Sequence, residues 1–152
     1  MDVSIQAADP ASPGVRQLLE QLDAYQSTLY PAESNHLLPV EALKQSNVTF
    51  LTVAVDGRLA GCGAFVNQAG EYAEIKRMYV LPGYRGLKLG RRMLDELESR
   101  ARALGLRLAR LETGISQPEA LGLYERAGYV RRGPFGSYPA DPLSIFMEKS
   151  LS

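Results

Sequence analysis

The chain has 152 residues, 45% of them hydrophobic, with 17 basic and 17 acidic side chains and a formal net charge of zero. That length and apolar content suit one domain around one core; the neutral balance gives no footing for general nucleic-acid or anionic-membrane binding. One cysteine, no signal-like start and no apolar run of spanning length set the expectation of a cytoplasmic protein without structural disulfides.

In chain order, residues 3–7 read as an edge strand. Residues 12–29 carry apolar side chains at helical spacing through Val15, Leu18, Leu19 and Leu22, and Tyr30-Pro31 stops the run. A second short helix is expected over 39–45. Strands at 49–55 and 59–66 flank Asp56-Gly57, a strong hairpin signal. The strand 71–81 follows as an antiparallel neighbour. Residues 90–104 place Met93, Leu94, Leu97, Ala101 and Leu104 on one helical face, with Gly105 as the stop. The next strand, 106–112, runs parallel to 71–81 by the right-handed crossover rule. A helix over 116–127 opens on an expected capping box, Ser116 with Glu119, and ends at Gly128. Strands at 129–132 and 143–148 complete the sheet.

Residues 74–94 hold the most specific chemistry. A β-rich run from Ile75 to Leu81 breaks at Pro82-Gly83 and feeds a basic, glycine-containing turn that opens straight into a helix. The turn gathers free backbone N–H groups, a helix N-terminus and four cations, Arg85, Lys88, Arg91 and Arg92, a setting for a phosphate-bearing ligand. Arg91 and Arg92 sit in the first helical turn, where the macrodipole disfavours cations. An anion at the helix mouth removes that misfit; a plain surface connection with solvated arginines leaves it. No Gly-Lys-Ser/Thr follows a four-residue spacer, and Gly61-Cys-Gly63 meets Val66 where a dinucleotide fingerprint needs its third glycine, so neither nucleotide loop fits.

The segment resembles the acetyl-coenzyme A signature of the GCN5-related N-acetyltransferases (GNAT), Arg/Gln-x-x-Gly-x-Gly/Ala. Arg85 holds its first position and Gly90 its last, while Lys88 stands where the family usually has a glycine. A lysine is accommodated there if its φ is negative. A later stretch resembles the family's Asn-x-x-Ala, Tyr-Glu and Gly-Phe/Tyr pattern. Ala120, Tyr124, Glu125, Gly128 and Tyr129 match it, and Gln117 replaces the asparagine. The two motifs lie in family order across 71–129.

The resemblance implies one N-acetyltransferase domain over 1–152, of the α/β (α+β) class, with a mixed central sheet and helices on both sides. It implies acetyl-CoA as co-substrate, no metal, and direct acetyl transfer to a primary amine of a small molecule or an exposed protein amine. In the resembled fold the strands at 71–81 and 106–112 splay apart, and the pantetheine arm pairs with backbone of Met78, Tyr79 and Val80. Pyrophosphate rests on N–H groups of Gly86, Leu87, Lys88, Leu89, Gly90 and Arg91, beside Arg85. Gln117 hydrogen-bonds the pantetheine arm. Tyr124 is the implied general acid, against a purely packing role on the apolar face with Ala120, Leu123 and Ala127.

Amine acetylation also needs a proton acceptor and an oxyanion donor. Glu74 is the expected base, with a surface pairing to Lys76 or Arg77 as its bland alternative. The Val80 N–H, freed by a bulge, is the expected oxyanion donor. Tyr25, Tyr30, Phe135 and Tyr138 are expected to wall the acceptor site. His36, the sole histidine, sits in a loop that borders it and is expected to have no catalytic role. Arg77 and the pair Arg131 and Arg132 offer cations to an acceptor carboxylate. Cys62 reads as a small core residue rather than an acyl-bearing nucleophile. Two other readings stay open: a non-catalytic coenzyme A-binding regulator, and transfer from a longer acyl-CoA. An edge strand would serve a homodimer.

Overall fold

The computed structural model describes residues 1–152. One seven-stranded sheet runs β1 (Val3–Ala7), β2 (Val48–Val55), β3 (Arg58–Gln68), β4 (Tyr72–Val80), β5 (Leu108–Gly114), β6 (Val130–Arg132) and β7 (Ser144–Ser150). Spatially the order is β1-β2-β3-β4-β5-β7-β6, antiparallel throughout except between β4 and β5. Four helices, α1 (Pro13–Leu29), α2 (Val40–Leu43), α3 (Leu89–Ala103) and α4 (Pro118–Arg126), cover both faces. None is long and apolar enough to cross a membrane. Every expected element is present, its ends within about two residues of the sequence reading.

Burial follows the two periodicities. On one face α1 presses Val15, Leu18 and Leu19, with Leu43 of α2, onto Phe50, Cys62 and Ala64. On the other, Met93, Leu94, Leu97 and Ala101 of α3 and Tyr124 of α4 meet Leu51, Val53, Phe65, Ile75 and Leu111. Alternate residues of β2 thus enter two different cores, which accounts for its unbroken apolar sequence. Asp56 and Gly57 take φ of 50° and 81°, closing the β2–β3 hairpin across the Val55–Arg58 pair.

Two irregularities of β4 create the working region. Its parallel pairing with β5 covers only Ala73–Ala109, Glu74–Arg110 and Ile75–Leu111, after which the strands part. On its other edge the register with β3 slips between Cys62 and Ala64, setting Arg77 and Met78 opposite Gly63 alone. Arg77 takes φ of 58° in this bulge. The extra residue breaks the alternation. Ile75 and Met78 pack toward α3, whereas Lys76 and Arg77 both turn to the face of α1. A Cβ on Gly63 would stand 2.8 Å from both Met78 Sδ and Met93 Cγ, so glycine is what lets α3 close over the bulge.

The expected capping box does not form. Gln117, not Ser116, is the N-cap of α4, and it makes no side-chain cap; Pro118 opens the helix with its φ already set. The Ser116 N–H goes instead to the Tyr30 hydroxyl at 3.2 Å.

Candidate active site

The wedge between the diverging strands holds a cavity of about 190 Å³, lined by Tyr25, Met78, Tyr79, Val80, Arg85 and Gly90 among others. A smaller cavity of about 80 Å³ lies behind it, bordered by Tyr30, His36, Lys76 and Glu112. The two share Met78, Gln117, Ala120 and Tyr124. These four residues form the boundary, or junction, that the two cavities share.

Backbone geometry opens Val80 to the wedge. The Leu81 N–H donates to the Ala60 carbonyl at 2.8 Å, and Val80 opposes Gly61. Antiparallel ladders alternate, so the Val80 N–H and C=O point away from β3 into the gap. The carbonyl is met there by Arg85 Nε at 3.2 Å. The bulge lies just before Val80, at Arg77–Met78, and the departure of β5 beyond Ile75 leaves the Val80 edge uncovered.

At the wedge's mouth, Gly86 takes φ of 87° and Lys88, the N-cap of α3, takes φ of 60°. Lys88 does not adopt the negative φ that would accommodate a lysine there without strain. The entry into α3 imposes a left-handed residue there, at a cost of about 1–2 kcal/mol for a side chain bearing a Cβ. No side chain caps α3, so the N–H groups of Leu89, Gly90 and Arg91 face outward. Arg85 and Lys88 are exposed beside them, as is Leu87. Arg91 pairs with Asp95 at 3.1 Å and reaches the Arg126 carbonyl at 3.4 Å. Arg92 does not join: it lies against β1 near Val3, Ile5 and Glu96, because helix rotation carries it to another face. Uncapped amides flanked by basic side chains fit a pyrophosphate.

Tyr124 is buried, its ring edge-on to Tyr129 at 5.8 Å. Its hydroxyl borders the junction and is not left as a sealed, unpartnered group. Burial, then the charge of Glu112, raises its pKa above the ordinary phenol value, so the group is a neutral donor throughout the working range. Packing and a chemical role coexist in this residue. Tyr30 donates to Gln117 Oε1 at 3.1 Å, which leaves the Gln117 amide nitrogen free to donate elsewhere.

The expected base is elsewhere engaged. Glu74 is buried; Tyr138 donates to its Oε2 at 2.5 Å, Gln68 Nε2 donates to its Oε1 at 2.9 Å, and Lys76 stands 3.5 Å away. It faces a third cavity with Tyr72 and Tyr138, not the junction. Glu112 occupies the junction-side cavity instead. Ser144 donates to its Oε2 at 2.8 Å, it has no ion pair, and burial raises its pKa. Sequence reasoning missed Glu112. It lies beside the second motif in Leu111-Glu-Thr-Gly, but only the parting of β4 from β5 exposes it.

Other expected acceptor contacts are redistributed. Arg77 is buried, with Nε on the Leu38 carbonyl at 2.9 Å and Nη1 on Asp23, so it is not free for a substrate carboxylate. Arg132 pairs with Glu148 at 2.5 Å and Arg131 with Glu125 at 3.8 Å. Phe135 is sealed among Tyr72, Tyr138 and Phe146 and lines none of the three cavities, because the loop before β7 folds back on the sheet. Tyr25 borders the wedge rather than the acceptor side. Tyr138 accepts Lys76 Nζ at 2.5 Å and meets the His36 ring edge-on at 5.1 Å; the His36 carbonyl also accepts Lys76 Nζ, at 3.0 Å. Cys62 is buried and donates to the Arg77 carbonyl, and burial pushes its thiol up to about 12, away from nucleophilic use.

The fold that holds this cleft recurs in known proteins. The Acetyltransferase (GNAT) family model matches residues 15–129. A protein of Azospirillum brasilense named IAA acetyltransferase is 47% identical over 151 residues, covering 99% of each chain. The crystal structure of a Klebsiella pneumoniae protein assigned as an acyl-CoA N-acyltransferase superposes with a TM-score of 0.84 at 38% identity, over 99% of this chain and 98% of that one. The PaiA N-acetyltransferase of Thermoplasma acidophilum, solved with coenzyme A, shares the fold with a TM-score of 0.76 at 19% identity, over 99% of each chain. The chain belongs to the GNAT family of acetyltransferases.

Proposed function

We propose that the protein transfers an acetyl group from acetyl-CoA directly to the primary amine of a small molecule or an exposed protein amine. The observation that carries this reading is the junction: a wedge with open strand backbone and a second cavity meet at Met78, Gln117, Ala120 and Tyr124. The open edge of β4 offers main-chain partners to the pantetheine amides, and the α3 amides with Arg85, Lys88 and Arg91 offer a seat to pyrophosphate. The Val80 N–H polarises the thioester carbonyl where negative charge develops. The Tyr124 hydroxyl donates to the departing sulfur. Glu74, tied to Tyr138, Gln68 and Lys76, shapes the wall of the neighbouring cavity rather than meeting the amine.

Release of free thiol from acetyl-CoA tests the reading, measured against amino acids, polyamines, aminoglycosides and lysine peptides. IAA belongs in the panel because a full-length relative is named for it. Release that depends on an amine acceptor supports the proposal; release that depends on IAA alone, which has no primary amine, would overturn it. Coenzyme binding with no turnover on any acceptor would favour a regulatory module, and absence of coenzyme binding would remove the role given to residues 85–91.

A further inference from the structure

We propose that Glu112 is the seat and proton acceptor for the acceptor's ammonium group, and that the preferred acceptor is a primary amine without a neighbouring carboxylate. The inference rests on the acetyl-transfer reading above and narrows it to a substrate class. Three formally charged side chains line the junction-side cavity: Lys76, Arg77 and Glu112. Two already have opposite charges. Lys76 lies 3.5 Å from Glu74 and donates to the Tyr138 hydroxyl and the His36 carbonyl. Arg77 is held by Asp23 and the Leu38 carbonyl. Glu112 has only the Ser144 hydroxyl, on Oε2, and forms no ion pair. A half-buried carboxylate with a free oxygen is completed by a cation, and an ammonium supplies both the charge and the donors.

The same cavity argues against a carboxylate on the acceptor. Its cations are committed, so an amino acid would bring a second anion beside Glu112 with no free partner for it. The groups around Glu112 are Ser144 from β7, Lys76 and Glu74 from β4, His36 from the preceding loop, Tyr30 at the end of α1 and Tyr124 from α4. The His36 ring is stacked edge-on against Tyr138 and makes no hydrogen bond to Glu112. Burial raises the Glu112 pKa, which makes it a better proton acceptor and narrows the gap to an alkylammonium of pKa about 10.4.

The step balances without another reactant. The ammonium passes one proton to Glu112 and onward to solvent; the nitrogen lone pair then forms the C–N bond to the acetyl carbon. The C–S bond breaks with its electron pair on sulfur, which takes the Tyr124 proton. The nitrogen's second proton restores the phenol, leaving an amide, free thiol and one proton in water.

Steady-state kinetics with acetyl-CoA and matched pairs test the proposal: phenethylamine with phenylalanine, tyramine with tyrosine, agmatine with arginine. Each amine should exceed its amino acid in kcat/KM by at least about tenfold, the discrimination a pocket makes over even a single methylene. Glu112→Gln should lower kcat/KM by roughly 10²–10⁴-fold and abolish the acidic limb of its pH profile, with coenzyme affinity by calorimetry unchanged. Glu112→Asp should recover part of the rate and the limb. Wild-type kinetics in Glu112→Gln, or amino acids outpacing the amines, would overturn the inference while leaving acetyl transfer to a primary amine standing; IAA, which has no primary amine, outpacing them all would overturn both. Coenzyme binding by the wild type with no amine turned over would overturn both.

Discussion

Tyr30 donates its phenolic hydrogen to Gln117 Oε1 at 3.1 Å while accepting the Ser116 N–H at 3.2 Å, so one hydroxyl at the end of α1 fixes the loop that launches α4. The two partners are 87 residues apart in sequence. Gln117 borders both cavities, and this tie fixes its orientation there.

The tie requires a residue without a side chain beneath it. A Cβ on Gly114 would lie 1.7 Å from the Tyr30 hydroxyl oxygen. Gly114→Ala is expected to destabilise the fold by about 1–3 kcal/mol in urea denaturation, as overpacking does, and to weaken coenzyme binding by displacing Gln117. Adding Tyr30→Ala should recover part of the stability, because the clash needs both residues.

Tyr124→Phe keeps the buried ring and removes only a hydroxyl that faces the junction. Its midpoint in denaturant should therefore stay within about 0.5 kcal/mol of wild type. Turnover should fall by about 10²-fold or more with the coenzyme dissociation constant unchanged. Rapid-quench measurement of the transfer step separates that loss from slower product release.

Lys88 holds a φ of 60° that glycine adopts freely. Lys88→Gly is expected to stabilise the protein by about 1 kcal/mol, since relief of the strained backbone outweighs the looser unfolded chain. Lys88→Ala keeps the strain and should give no such gain. Urea titration of both variants distinguishes the backbone from the lost charge.

Glu112 links stability to pH. Burial raises its pKa in the folded protein above that of the unfolded chain. Between the two values the folded state holds a proton that the unfolded state has released, so stability falls as pH rises through that window. The penalty is full above the folded pKa and absent below the unfolded value of about 4.3. Glu112→Gln should accordingly raise Tm at about pH 8 and give no gain near about pH 4 in a calorimetric pH series.

The strands and helices were legible because each local signal agreed with the whole. Asp56-Gly57 demanded a tight turn, Val15 to Leu22 repeated at helical spacing, and Gly105 and Gly128 both stop helices in the left-handed conformation. The open strand edge and the uncapped start of α3 were legible for a related reason: their atoms belong to the main chain of one continuous segment. The acceptor side was not. Arg77 faces α1 rather than α3 only because the bulge inserts a residue, and nothing in Lys76-Arg77-Met78 announces a bulge. Glu74 pairs with Arg110, so Glu112 lies two residues further along β5 on the same face, and the point of divergence decides which carboxylate meets the junction. Phe135 and Tyr138 share a loop, yet one seals a core and the other takes a hydrogen-bonded place beside Glu74.

The parting of β4 from β5 also divides what mutation can change. Atoms that every residue type carries form one side of the cleft, so replacing Tyr79 or Val80 alters bulk there but leaves the row of amides and carbonyls in place. The other side is built from the tips of Glu112, Lys76, Tyr30 and His36, each changed by a single codon. On the acetyl-transfer reading proposed above, drift can exchange one acceptor for another while the donor stays the same.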